Sequence, residues 1–278
     1  MDRIPTGISR FDSMIGGGAP AGSVVLLASE GGAGGREFLY TSAVMNGLAH
    51  ADEEQFGLYY GDLHERADPP EEIHYVSFTA DRSELLEEME YALDADLLEA
   101  GVERIEFADL STEFFHPSPI PTDWYAGRTR TIDSLGDNHD RRGVLEALGT
   151  YLTENASDNV VLLDSMTDLL DVSDDRIEWT DVTLLMRGLK KASARWGGLV
   201  LILVNRDPLT DRQLGALMDA TDGTLLFQWE SGGSERARTL VVRQFRGVLS
   251  RLEEEDIIQF ETEIHEGGFD ISDVRKIR

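Results

Sequence analysis

A glycine-rich stretch, "ASEGGAGGREF" (28–38), follows the apolar run "SVVLL" and leads into "LYTSAVMNGLAH". Strand, glycine turn and helix in that order form a cradle for phosphate. The backbone N–H groups of Gly31, Gly32, Gly34 and Gly35 can turn inward, and the helix start adds partial positive charge. A working cradle closes with a lysine that spans the β- and γ-phosphates, then a serine or threonine hydroxyl that ligates magnesium. Here the closing residues are Gly35, Arg36 and Glu37. In one register Gly35 takes the lysine position and Arg36 the hydroxyl position; shifted by one, Arg36 and Glu37 take them. Neither register restores the motif. Arg36 can still supply a cation, although its fork is longer and flatter than an ammonium.

Turn signals and apolar periods around this loop predict alternating strands and helices, the pattern of a largely parallel sheet covered on both faces. Strands are expected at "SVVLLAS", "IHYVSFT", "RIEFADL", "NVVLLDS", "GLVLILVN", "GTLLFQWE", "RTLVVRQF" and "IIQFETEI". Val182, Leu185, Met186, Leu189 and Trp196 recur at helical spacing, with Arg187, Lys190 and Lys191 expected outward; Leu85, Leu86, Met89 and Leu93 recur likewise in an acidic helix after Arg82. Both stripes read as core packing. After Gly223 short strands follow one another without a crossover helix, which implies an antiparallel extension. The fold class expected is α/β in a single domain over residues 1–278, with irregular insertions near 51–72 and 113–143. The second insertion sets four aromatics among three prolines and reads as a loop folded onto its own domain. Ligands in such sheets bind outside the carboxyl ends of the strands, so Ser29, Thr79, Asp164 and Asn205 should surround the glycine loop.

Charge narrows the function classes. Fifty-three acidic residues against 25 basic ones give a formal net charge of −28, and only Lys190, Lys191 and Lys276 are lysine. Such a composition argues against nucleic acid as the main ligand, because nonspecific affinity comes from phosphate neutralisation by Lys and Arg. It resembles that of proteins of halophiles, which work in molar salt, where the Debye length falls to about 3 Å and self-repulsion is screened. The fold is therefore expected to hold in molar KCl and loosen in dilute buffer. Circular dichroism across a salt series checks this, and salt-independent unfolding would mark an ordinary acidic protein. Without cysteine there is no disulfide, thiolate metal site or cysteine nucleophile, and the six histidines show no metal-ligand spacing. No apolar run reaches membrane-spanning length and the N-terminus lacks a secretory core, so a cytoplasmic location without membrane contact is expected.

Taken in order, the pieces resemble the RecA-fold ATPases of the KaiC and RadA type. "IPTGISRFDSMIGGGAPAGSVVLLAS" resembles the start of that domain, "NVVLLDSMTDLL" its Walker B strand ending at Asp164, and "RTLVVRQFRG" with "IIQFETEIHEGGFDI" its C-terminal hairpins. The resemblance covers nearly the whole chain and is closest to a single KaiC-like domain. It implies a nucleotide site made of Ser29, Gly31, Gly32, Gly34, Gly35, Arg36 and Glu37, with Asp164 toward magnesium, Asn205 as a polar sensor or a plain strand-end cap, and Arg246 acting on a neighbouring subunit. It also implies ATP with magnesium as the cofactor and allows a homo-oligomer. The family's catalytic glutamate would follow Phe78, where this sequence has Thr79 and Ala80, neither able to take a proton from water; Asp81 is one residue further along. The family's Lys-x-Arg pair reads Gln244, Phe245, Arg246, with Arg243 as a substitute for the lysine.

Lysine, magnesium hydroxyl and general base are thus all altered on a kept scaffold. The expected function is a non-catalytic regulatory or signalling protein that uses a protein partner and binds ATP weakly without turnover. The alternatives are an active ATPase with Arg36 for lysine and Asp81 as base, or a recombination or repair accessory protein. Thr79 and Ala80 count against the first alternative and the missing basic stripe against the second. The partner itself is not legible, because fold alone does not supply it.

Overall fold

The computed structural model describes residues 3–116, 118–125, 143–171, 178–231 and 236–276. The chain opens with β1 (Arg3–Ile4), α1 (Ser9–Ile15) and β2 (Ala19–Pro20), then the first core strand β3 (Ser23–Ser29) and the long helix α2 (Gly35–Ala51). There follow α3 (Glu53–Tyr59), β4 (Ile73–Ser77), α4 (Arg82–Met89), α5 (Ala95–Val102), β5 (Ile105–Asp109), α6 (Ser111–Phe115) and α7 (Val144–Asn155). Next come β6 (Val160–Asp164), α8 (Met166–Asp171), α9 (Trp179–Trp196), β7 (Leu199–Asn205) and α10 (Asp211–Asp219). The chain ends in β8 (Gly223–Ser231), β9 (Arg236–Phe245), α11 (Leu249–Glu254), β10 (Ile257–His265) and β11 (Gly268–Lys276).

Nine strands form one sheet in the order β11-β10-β9-β8-β3-β7-β6-β4-β5. From β8 to β5 every neighbouring pair is parallel, and β9, β10 and β11 extend the sheet antiparallel. The α/β fold expected from the sequence is the one observed. Its central strands read as unbroken apolar runs because both faces are buried. In β3, Val24, Leu26 and Ala28 enter the layer under α7, α9 and α10, while Val25 and Leu27 enter the layer under α1, α2 and α5. In that second layer Phe38 meets Phe11, Phe227 and Phe269 edge-on at 5.4–6.3 Å, in the range favoured by the ring quadrupole.

Several elements differ from expectation. The acidic helix α4 ends at Met89, so Leu93 packs from the turn beyond it, still buried. Lys190 is drawn inward to donate to the Thr221 carbonyl at 2.6 Å. The stretch near 51–72 holds α3, whose start is capped by Asp52 accepting from the Gln55 amide. Residues 126–142 of the other odd segment, and 232–235 of the turn "ESGGSERA", lie outside the described residues. On the outermost strand, the carbonyls of Ile271 and Ser272 both accept from the Arg10 guanidinium, at 2.6 and 3.2 Å. Among the described residues no helix is long and apolar enough to cross a membrane.

Candidate functional site

The carboxyl ends of β3, β7, β6 and β4 lie side by side, since Ser29 pairs with Asn205 and Ser77 with Asp164. The glycine loop leaves β3 at this end of the sheet. Gly34 closes the loop in the left-handed region (φ 106°), and a Cβ there would stand 2.9 Å from the Phe269 ring. Gly35 is needed for a different reason: a Cβ on it would lie 2.6 Å from Ser29 Cβ and 3.0 Å from Leu203 Cδ1. Ser29 and Gly35 therefore fit each other, and the lysine position of the first register holds no side chain.

Arg36 is the second residue of α2 and turns toward β6, where its Nη2 donates to Asp164 Oδ1 at 3.1 Å. This contact matches the register that puts Arg36 at the hydroxyl position, beside the aspartate that would face magnesium. The other oxygen, Oδ2, accepts from the Tyr75 hydroxyl at 2.7 Å. Arg36 also approaches Glu88 Oε2 at 3.5 Å, and Tyr40 donates to the same oxygen at 2.6 Å. The result is a chain of five side chains, Tyr75, Asp164, Arg36, Glu88 and Tyr40, which ties β4, β6, α2 and α4 together. Asp164 is 4% exposed and Arg36 48%. Burial raises the Asp164 carboxyl against the pull of Arg36 and Tyr75, and raises the Tyr75 hydroxyl well above the usual phenol range. Burial works against charge on Arg36, yet Asp164 lifts the guanidinium above its ordinary value. At neutral pH the cluster holds a charged guanidinium and two protonated phenols as donors.

The loop is held on its other side as well. Trp229 Nε1 donates to the Gly31 carbonyl and Arg238 Nε to the Gly32 carbonyl, both at 3.0 Å, with the guanidinium 4.7 Å from the Trp229 ring centre. The Gly31 amide donates to Asp207 Oδ2 at 3.0 Å, so an internal carboxylate already sits on one amide of the cradle. Asn205 Oδ1 accepts from the Asp207 amide at 3.0 Å, the contact a strand-end cap would make. Glu37 is half-buried, and its carbonyl accepts from Thr41 Oγ1.

At the base position the Thr79 and Ala80 amides both donate to Ser77 Oγ. Asp81 caps α4, accepting from Ser83 Oγ, Ser83 N and Glu84 N, and these bonds, led by the Ser83 side chain, lower its carboxyl. Arg246 is placed elsewhere. It stands 3.7 Å from Asp222, whose Oδ2 accepts from the Val24 amide at the start of β3, roughly 16 Å along the strand from Ser29. Arg243 is exposed, and Gln244 donates to the Met218 carbonyl at 2.6 Å.

The structure thus brings Ser29, the loop glycines, Arg36, Asp164 and Asn205 together and leaves Arg246 at the far end of the sheet. Tyr40, Tyr75, Glu88, Asp207, Trp229 and Arg238 were not singled out from the sequence. Two had a signal: Tyr40 lies one helical turn after Arg36, and a tyrosine inside the wholly buried strand "IHYVS" needs a partner for its hydroxyl.

A parallel core sheet with an antiparallel extension and a glycine loop opening α2 defines a RecA/KaiC-like fold. Among solved structures the chain is similar to a KaiC-like protein from the hyperthermophilic archaeon Pyrococcus horikoshii, with a TM-score of 0.61 and 17% identity over 98% of this chain and 99% of that one. No protein-family model matches the chain, and no curated protein sequence matches it either. At this identity the likeness establishes the fold alone.

Proposed function

We propose that the chain is a non-catalytic RecA/KaiC-like regulatory or signalling protein, which works through a protein partner and binds ATP weakly without hydrolysing it. The observation that carries this reading is the Arg36–Asp164 pair: the residue at the hydroxyl position is a cation bound to the carboxylate a metal would need. The positions for lysine and base support it, since Gly35 offers no side chain and Asp81 is committed to its helix cap. Weak binding is what the local charge favours. Asp164, Glu88, Glu30 and Asp207 all lie at or beside the loop, and Arg36, Arg206 and Arg238 are already paired or stacked. A chain of −28 makes a protein partner the better fit than nucleic acid, and molar salt the better fit as its surroundings.

Phosphate release from ATP by the pure protein in molar KCl with magnesium tests the reading. Phosphoryl transfer needs charge neutralisation at the γ-phosphoryl oxygens, an anchored metal and an oriented water. Removing a single preorganised group of this kind costs about 10²–10³ in rate, so three altered groups should leave release equal to the blank. Robust release that Asp164→Ala abolishes would establish the active-ATPase alternative instead.

A further inference from the structure

The residues at this site do not fit the magnesium that the fold family implies. Magnesium demands near-octahedral oxygen ligands at about 2.0–2.1 Å and gives up its waters reluctantly, so the protein must offer it an open carboxylate or hydroxyl oxygen with no cation against it. Asp164 accepts from Arg36 on one oxygen and from Tyr75 on the other, and its surroundings are closed, at 4% exposure. Arg36, in the first turn of α2, brings it a positive charge in place of a hydroxyl. Among the described residues no cluster of three His, Asp or Glu side chains offers another metal site.

We infer that the Arg36 guanidinium replaces the metal ion, so that any nucleotide taken at the glycine loop is taken as the metal-free phosphate anion. A divalent ion in such a site would link the phosphate to the carboxylate at the end of the neighbouring strand. Arg36 has the geometry for the same task, with one nitrogen on Asp164 Oδ1, a second near Glu88 Oε2, and nearly half of its side chain open to solvent at the loop. The guanidinium is planar, carries five donors and keeps its charge, so it can bind carboxylate and phosphate at once. Glu88, held by Tyr40, and Asp164, held by Tyr75, fix the fork from both sides. The inference rests on the non-catalytic reading of this site but is separable from it. Release of phosphate without magnesium would overturn that reading and leave this one standing, and stabilisation by magnesium without turnover would do the reverse.

The test is the unfolding temperature of the full chain in molar KCl with millimolar ADP, in EDTA or in magnesium at matched ionic strength. The unaltered protein is expected to unfold lower in excess magnesium than in EDTA, because magnesium withdraws the free ADP anion that the site takes. Arg36→Ser restores a hydroxyl and frees Asp164 Oδ1, so it should unfold about 2–4 °C higher in magnesium than in EDTA, the shift of a modest ligand linkage in a chain of this size. Arg36→Lys keeps the charge, should likewise unfold no higher in magnesium than in EDTA, and serves if the serine variant does not fold. Equal temperatures or a magnesium-dependent rise in the unaltered protein, a rise in Arg36→Lys, or an Arg36→Ser variant that folds and ignores magnesium, would overturn the inference.

Discussion

Asp12→Ala should lower stability by about 3 kcal/mol, read as a drop of roughly 6–12 °C in unfolding temperature. Asp12 is 1% exposed and faces no cation within its hydrogen-bond set. Its Oδ1 accepts from the Thr6 amide at 3.0 Å and the Thr6 hydroxyl at 2.7 Å; its Oδ2 accepts from the Gly7 amide at 3.1 Å and the Tyr60 hydroxyl at 3.0 Å. Alanine strands all four donors. The two hydroxyls can turn elsewhere, but the backbone amides cannot, and each stranded buried donor costs about 1–3 kcal/mol. Relief of a buried charge offsets part of the sum. Burial pushes the Asp12 carboxyl up from 3.8 to about 6, against its donors. A folded value above the unfolded one means that the folded chain keeps a proton which the unfolded chain has released. This group's contribution is therefore fully present below pH 3.8 and lost as pH rises through about 6. Denaturant midpoints from pH 3 to 8 for the unaltered chain and Asp12→Ala check both statements, and a variant within about 0.5 kcal/mol of the parent would refute the first.

Arg36→Met should cost about 2 kcal/mol, because it leaves the Asp164 carboxylate with Tyr75 as its sole donor. Breaking a fully buried pair from one side costs about 3–5 kcal/mol, and the half-exposed guanidinium places this pair below that range. Methionine keeps most of the aliphatic stem, so the loss reports charge rather than packing. In an Asp164→Asn background the same change should cost much less, since the buried charge has gone. Equal costs in both backgrounds, measured as a double-mutant cycle, would show that the two side chains do not act as a pair.

The core strands were legible because burial on both faces leaves runs such as "SVVLL" and "LVLILVN" with little else they can form. The C-terminal strand β11, "GFDISDVRK", was legible only as part of a hairpin. Beyond Phe269 and Ile271 its residues are mostly polar or charged, and Val274, which still packs on the core, falls out of the two-residue period. The pair β1 and β2 is two residues long on each side, too short for any period to register. The same contrast holds in the site. Gly31 to Arg36 and Asp164 could be found because they sit at fixed offsets from strand ends. Glu88 and Asp207 reach the site from α4 and from the loop after β7, and among so many acidic residues nothing in their spacing sets them apart. The partner of Arg36 also needed three dimensions, because nothing in the spacing of the loop shows that its guanidinium reaches Asp164.

The Arg10 guanidinium on the carbonyls of Ile271 and Ser272 bears on how molecules of this protein behave when crowded. An outermost strand with free carbonyls is a template on which another extended chain can add, and uncontrolled addition ends in aggregates. Along β11 two backbone acceptors are already taken by a side chain from α1, while the strand's own charges, Asp270 and Asp273 against Arg275 and Lys276, balance. With charges that balance, two such strands would repel each other little at any salt concentration, and molar salt would leave the short hydrogen-bonded cap in place. The open border of the sheet is thus guarded by a bond rather than by charge.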